Sequence, residues 1–86
     1  MNYQQLSTVK IWFDLNHRIH RGFDLPAEIW DNGTQVWCQH GKKHRNDDRP
    51  AAIWSNGSKI WCQNDKIHRD GNKSAIIITN IKMVYF

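Results

Sequence analysis

No run of apolar residues in the chain approaches the roughly 20 that a membrane-spanning helix needs. The opening "MNYQQLSTVK" also lacks the positive, apolar and small-residue order of a secretory signal. The expectation is a cytoplasmic protein with no membrane partner. Cysteine is scarce: Cys38 and Cys62 are the only two, and no CxxC pair accompanies them. Their equivalent positions point to a shared packing role, ahead of a disulfide or of zinc held with His40, so no metal or other cofactor is expected. Absent too are a glycine-rich phosphate loop, a nucleophile elbow, an HExxH helix and any repeated carboxylate pair. These gaps argue against an enzyme and leave no catalytic residue to nominate. Acidic residues are in the minority, 8 against 12 Lys and Arg, and the +4 balance is spread along the chain, which favours an anionic partner. With 86 residues the chain makes one small domain, near the size where a single core is marginal. It needs regular packing, repetition or a partner.

What the sequence does contain is a period. His20-Arg21, His44-Arg45 and His68-Arg69 recur every 24 residues, as do Pro26-Ala27, Pro50-Ala51 and Ser74-Ala75. Asn32, Asn56 and Asn80 keep the step, and so do Trp37, Trp61 and Tyr85, while Trp12 falls out of it by one residue. A fixed period over so many positions predicts units that each bury a face against the next. The units run over about 10–34, 35–58 and 59–86 of one domain.

Within each unit the flanks of Asn32-Gly33 and Asn56-Gly57 are rich in Ile, Val and Trp, which suit strands. Asn-Gly has the composition of a two-residue type I′ turn. Second turns are expected at His40-Gly41 and Asn64-Asp65. The predicted fold is all-β, an antiparallel meander of tandem hairpins of about 24 residues joined by HR-x-x-x-x-PA loops. The two-residue turn fixes the register, so Ile53 faces Ile60 and Trp54 faces Lys59, and side chains sort by alternation. One face carries Ile29, Val36, Cys38, Ile53, Ile60, Cys62 and Ile67; the other carries Trp30, Trp37, Trp54, Trp61, His44, His68, Lys42, Lys59 and Lys66.

The stretches "HRGFDLPAEIWDNGTQVW" (20–37) and "HRNDDRPAAIWSNGSKIW" (44–61) resemble the HR-x-D-G-PA tandem repeats of small phage and large-virus proteins. "HGKKHR" at 40–45 and "NDKIHR" at 64–69 are similar to the NG-K-x-HG pattern of MORN hairpin repeats. The resemblance spans about residues 10–86 and implies a MORN-like hairpin-repeat sheet used for binding. It also implies a phage-encoded protein that works in the host cytoplasm, for instance by neutralising a defence system or a toxin. The glycine of the MORN HG pair is Arg here and the aromatic-Glu-Gly signature is missing, so lipid binding is not carried over.

The function expected from the residues is non-enzymatic binding. Flat aromatics beside cations suit RNA or another single strand, with bases stacked at roughly 1–3 kcal/mol each and phosphates met by Lys or Arg. The nucleic-acid-binding candidates are Trp30, Trp37, Trp54, Trp61, Lys42, Lys43, Lys59, Lys66, Arg45, Arg69, His44 and His68. The alternative is a protein–protein inhibitor that masks a host enzyme through the same Trp surface, because Trp and Arg are typical hot-spot residues. A sheet apolar on both faces exposes too large a patch to stand alone. Association into a homo-oligomer through Ile29, Val36, Ile53, Ile60, Ile67 and Phe86 is therefore expected.

Overall fold

A computed structural model describes residues 2–5 and 8–79. Among them there is no helix. Seven strands form one antiparallel sheet in chain order: β1 (Asn2–Gln5), β2 (Val9–Phe13), β3 (Glu28–Trp30), β4 (Gln35–Val36), β7 (Ala52–Ile53), β8 (Lys59–Ile60) and β11 (Ile76–Ile77). Two short hairpins leave it, β5 (Cys38–Gln39) with β6 (Lys42–Lys43) and β9 (Cys62–Gln63) with β10 (Lys66–Ile67). Only Trp37 separates β4 from β5, and only Trp61 separates β8 from β9, so each hairpin continues a sheet strand past a tryptophan.

The Asn-Gly loops differ from the two-residue expectation. Trp54 N–H donates to Ser58 O and Gly57 N–H to Trp54 O, which closes a loop of three residues, Ser55 to Gly57. Trp30, Gly33 and Thr34 make the same bonds. Gly33 and Gly57 sit at φ +96° and +91°, whereas Asn32 and Asn56 stay at negative φ with their side-chain oxygens accepting from the main-chain N–H of Thr34 and Ser58. This is a type I turn followed by a left-handed glycine. The two-residue turns with both central φ positive lie instead at His40-Gly41 and Asn64-Asp65.

One extra loop residue shifts the register by one and moves side chains between faces. Ile53 pairs with Lys59 and Ala52 with Ile60; Ile29 pairs with Gln35 and Glu28 with Val36. Ile29 and Ile53 therefore share a face with Lys10, Gln35 and Lys59, not with Val36 and Ile60. Trp30 joins the face of Glu28, Val36 and Ala52, opposite to the one expected. The common apolar face predicted for Ile29, Val36, Ile53 and Ile60 is thus split between the two sides of the sheet, and Phe86 lies outside the described residues.

The molecule is a slab of 48 × 35 × 17 Å. Apart from Trp37 and Trp61, its interior is made of small side chains: Ala27, Val36, Cys38 and Ala52 cluster together, with Ile19 against them. So thin a core buries little apolar surface, which leaves polar and aromatic contacts between loops to hold neighbouring hairpins together.

The loops give a first test of the register. A methyl at Gly33 meets no atom within 4 Å, but one at Gly57 lies 3.0 Å from Thr79 Oγ1, whose hydroxyl donates to Asn56 O at 2.8 Å. Alanine at either site costs about 1–2 kcal/mol for its positive φ. Gly57→Ala should cost more than Gly33→Ala, read as a larger drop in the urea midpoint. Equal losses would count against the Thr79 contact.

Candidate interaction surface

The HR dipeptides and the tryptophans meet in one recurring contact. Arg45 lies flat on the Trp37 ring, 3.7 Å from its centroid, and Arg69 lies on Trp61 at 3.7 Å. The stacked guanidinium is drawn to the ring's electron-rich face. Its Nε and NH2 edge then holds a carboxylate from 21 residues upstream: Arg45 binds both oxygens of Asp24 (2.9 and 3.2 Å), and Arg69 both of Asp48 (2.8 and 3.3 Å). The main-chain oxygen of the same aspartate accepts the indole N–H, Trp37 to Asp24 at 3.0 Å and Trp61 to Asp48 at 3.0 Å. The third guanidinium nitrogen, NH1, reaches Pro50 O or Ser74 O. Each aspartate takes a second cation, Arg49 or Lys73. Hydrogen bonds from Arg45 and then Arg49 hold Asp24 below the usual carboxylate range, and Arg69 and Lys73 do the same for Asp48. Arg21 and Asp24, like Arg45 and Asp48, lie three residues apart, yet each carboxylate reaches forward to the next loop's arginine.

These contacts engage four residues of the predicted nucleic-acid set. Trp37 and Trp61 are 6% exposed, and the Arg45 and Arg69 side chains 13% and 15%. Their rings and forks are already occupied. His44 is engaged as well: its Nδ1 accepts from Asn64 N–H and its Nε2 meets Asn46 Oδ1 at 2.8 Å. His68 Nε2 meets Asp70 Oδ1 at 2.7 Å. Lys42, Lys43 and Lys66 are exposed on the hairpins, and Lys59 is half-buried.

Trp30 and Trp54 behave differently, at 38% and 39% exposed. They flank a groove of about 330 Å³ that also touches Glu28, Thr34, Val36 and Lys43. On the far side of Trp54 a second groove of about 370 Å³ runs along Ser58, Ile60 and Ile76 to Ile78. Ile76 and Ile78 are exposed at its wall. Trp30 is steadied by an indole N–H bond to Glu28 Oε1 (3.1 Å). Of the predicted nucleic-acid set, then, Trp30, Trp54 and Lys43 stand together on one side. Trp37, Trp61 and His44 lie on the other, around the polar loops.

Sequence reasoning missed a polar cluster at the first turn. Asp14, 9% exposed, accepts from Asn16 N–H and Arg18 N–H through Oδ1, and meets Arg18 Nε (3.0 Å) and His40 Nδ1 (2.7 Å) through Oδ2. His40 stacks on His20 at 4.1 Å, and His20 Nδ1 accepts the His40 main-chain N–H. The His40 bond is the largest of the influences that hold Asp14 well below the usual carboxylate range. Burial, with the charges of His40 and Arg18, lowers the pKa of His20. The one-residue offset of Trp12 originates here: Phe13 bridges Ile19 across one residue more than separates Cys38 from Lys43. Cys38 and Cys62 are free and buried, and burial pushes the Cys38 thiol up to about 12, which makes it a poor nucleophile and ligand. The His40 ring is engaged by Asp14.

Comparison with protein families, with curated proteins and with solved structures gives no match.

Proposed function

We propose that the protein is a non-enzymatic module that binds another protein through the paired grooves around Trp30 and Trp54. One observation carries this reading: two tryptophans more than a third exposed stand on one face with apolar grooves on either side of Trp54. Fully desolvated indoles in such grooves are the usual anchors of a protein interface. Charge argues the same way. Of the six cations first assigned to a phosphate backbone, Lys43 lines the Trp30–Trp54 groove beside Glu28, and Lys59 lines the second groove. Stacking a single strand there would bring its phosphates toward two cations and one carboxylate. The likeness to phage and large-virus repeats favours a host partner, a defence enzyme or a toxin, masked by this surface. Self-association through the same grooves is the competing use of that face.

RNA binding is the reading this displaces, and salt separates the two. The purified protein is run on a sizing column at about 0.1 M and about 1 M salt with absorbance followed at 260 and 280 nm. Phosphate contacts weaken steeply over that range, whereas a Trp-centred interface barely responds. A clean, salt-insensitive peak is expected, with capture of the partner abolished by Trp54→Ala and kept by Lys42→Glu with Lys66→Glu. A species rich in 260 nm absorbance that salt strips away would overturn the proposal in favour of RNA.

A further inference from the structure

The arginine–tryptophan contact occurs three times, but it is complete only twice. Arg21 lies on Trp12 with its Cζ 3.8 Å from the ring centroid, matching Arg45 on Trp37 and Arg69 on Trp61. Its NH1 donates to Pro26 O at 3.3 Å, as Arg45 NH1 donates to Pro50 O and Arg69 NH1 to Ser74 O. The backbone agrees as well: Arg21 N–H reaches Cys38 O and Arg45 N–H reaches Cys62 O, both at 3.4 Å. What differs is the remaining edge. Among the described residues no carboxylate meets Arg21 Nε and NH2, and no carbonyl meets Trp12 Nε1, although both groups are filled in the other two copies. No buried side-chain nitrogen or oxygen lacks a partner among those residues, so these donors face solvent.

We infer that Trp12 and Arg21 form a receptor for an aspartate residue of another polypeptide, with its carboxylate on the Arg21 fork and its own main-chain carbonyl on the Trp12 indole N–H. The chain supplies the template for this ligand twice. Asp24 and Asp48 each present both groups at once, and they do so from two consecutive left-handed residues, Phe23-Asp24 (φ 60° and 57°) and Asp47-Asp48 (φ 62° and 56°). The recognised shape is therefore a tight loop ending in aspartate. A bidentate carboxylate on an arginine already stacked and anchored gains geometric specificity as well as charge, and the preset guanidinium lowers the ordering cost of binding. A lysine could stack no plane on Trp12 and offer no fork. The receptor lies on the face opposite Trp30 and Trp54, so it stands independently of the groove reading.

Two sources carry such a loop: a different protein, or a second copy of this chain. In the second case the loop that would dock by position is the third, where Asn72 occupies the place of Asp24 and Asp48. An amide there keeps the carbonyl but forfeits the charge. That would hold back the open head-to-tail stacking such a contact otherwise drives.

The test uses the full chain labelled with 15N and a capped hexapeptide, Asn-Asp-Asp-Arg-Pro-Ala, copying residues 46–51. The expected result is a saturable shift of the Trp12 indole and Arg21 Nε–H signals at millimolar peptide, with those of Trp37 and Trp61 unmoved. Changing the peptide's second Asp to Asn should weaken binding at least 10-fold, as should Arg21→Lys in a chain whose other signals are unchanged. No shift at 10 mM peptide, or equal binding of the amide version, would overturn the inference. Asn72→Asp then separates the sources by sedimentation. Mass that grows with concentration and is lost on adding Arg21→Lys identifies a second copy; a monomer that still takes the peptide identifies another protein.

Discussion

Trp37→Ala is expected to unfold the chain, and Trp54→Ala to leave it folded. At roughly 0.05–0.15 kcal/mol per residue, a domain of 86 residues has about 4–13 kcal/mol in hand. Truncating a buried tryptophan costs about 3–5 kcal/mol through lost contacts and the cavity left behind. Trp37 adds two further losses. Arg45 gives up the ring it stacks on, and the Asp24 carbonyl gives up its indole donor. Little else in this slab can compensate, because the interior cluster is built of two alanines, a valine and a cysteine. Trp54 carries none of these bonds and is 39% exposed, so its removal costs less, about 2–3 kcal/mol by area, while deleting the wall shared by both grooves. Far-UV circular dichroism with a urea titration reads both variants. A Trp37→Ala protein with an unchanged midpoint would show that the stacked arginine and its aspartate are surface ornament, and a Trp54→Ala protein that unfolds would make that ring part of the frame.

The two tryptophan classes could not be told apart from the sequence, and the reason is one residue. Asn-Gly flanked by Ile and Trp reads equally as a two-residue or a three-residue loop, since glycine satisfies the positive φ of either. The three-residue form moves Trp30 to the Val36 face and leaves Trp37 on the other. The strands, the antiparallel order and the His40-Gly41 and Asn64-Asp65 turns were legible, because composition and period both bear on them and no fine register is required. Partner choice for the aspartates was less accessible. Arg45 and Asp48 lie close in sequence, but the bond runs from Asp24 to Arg45 because the guanidinium is aimed by the Trp37 ring, a contact no spacing rule contains.

Because its fold relies on these carboxylates, the protein should lose stability in acid in two stages. For Asp14, Asp24 and Asp48 the folded state holds the pKa below the ordinary 3.8. A carboxylate of that kind contributes its full stabilisation above pH 3.8, where both states are ionised, and loses it as the pH falls from there toward the folded value. His20 works at higher pH. Its pKa is lowered from 6.5, mainly by burial, and its Nδ1 must stay unprotonated to accept the His40 N–H. Unfolded chains therefore take up that proton first, and the stability His20 contributes above pH 6.5 begins to fall below it. Urea midpoints should hold steady above pH 6.5, begin to decline gently below it, and drop steeply below 3.8. Asp48→Asn should lower the midpoint at pH 7 and flatten the steep limb, because it removes one of the three carboxylates and with it the bonds to Arg69 and Lys73. An acid limb as steep in that variant as in the parent would mean that Asp48 contributes nothing to holding the third loop against the second. The shared geometry of Asp24 and Arg45 would then need another account.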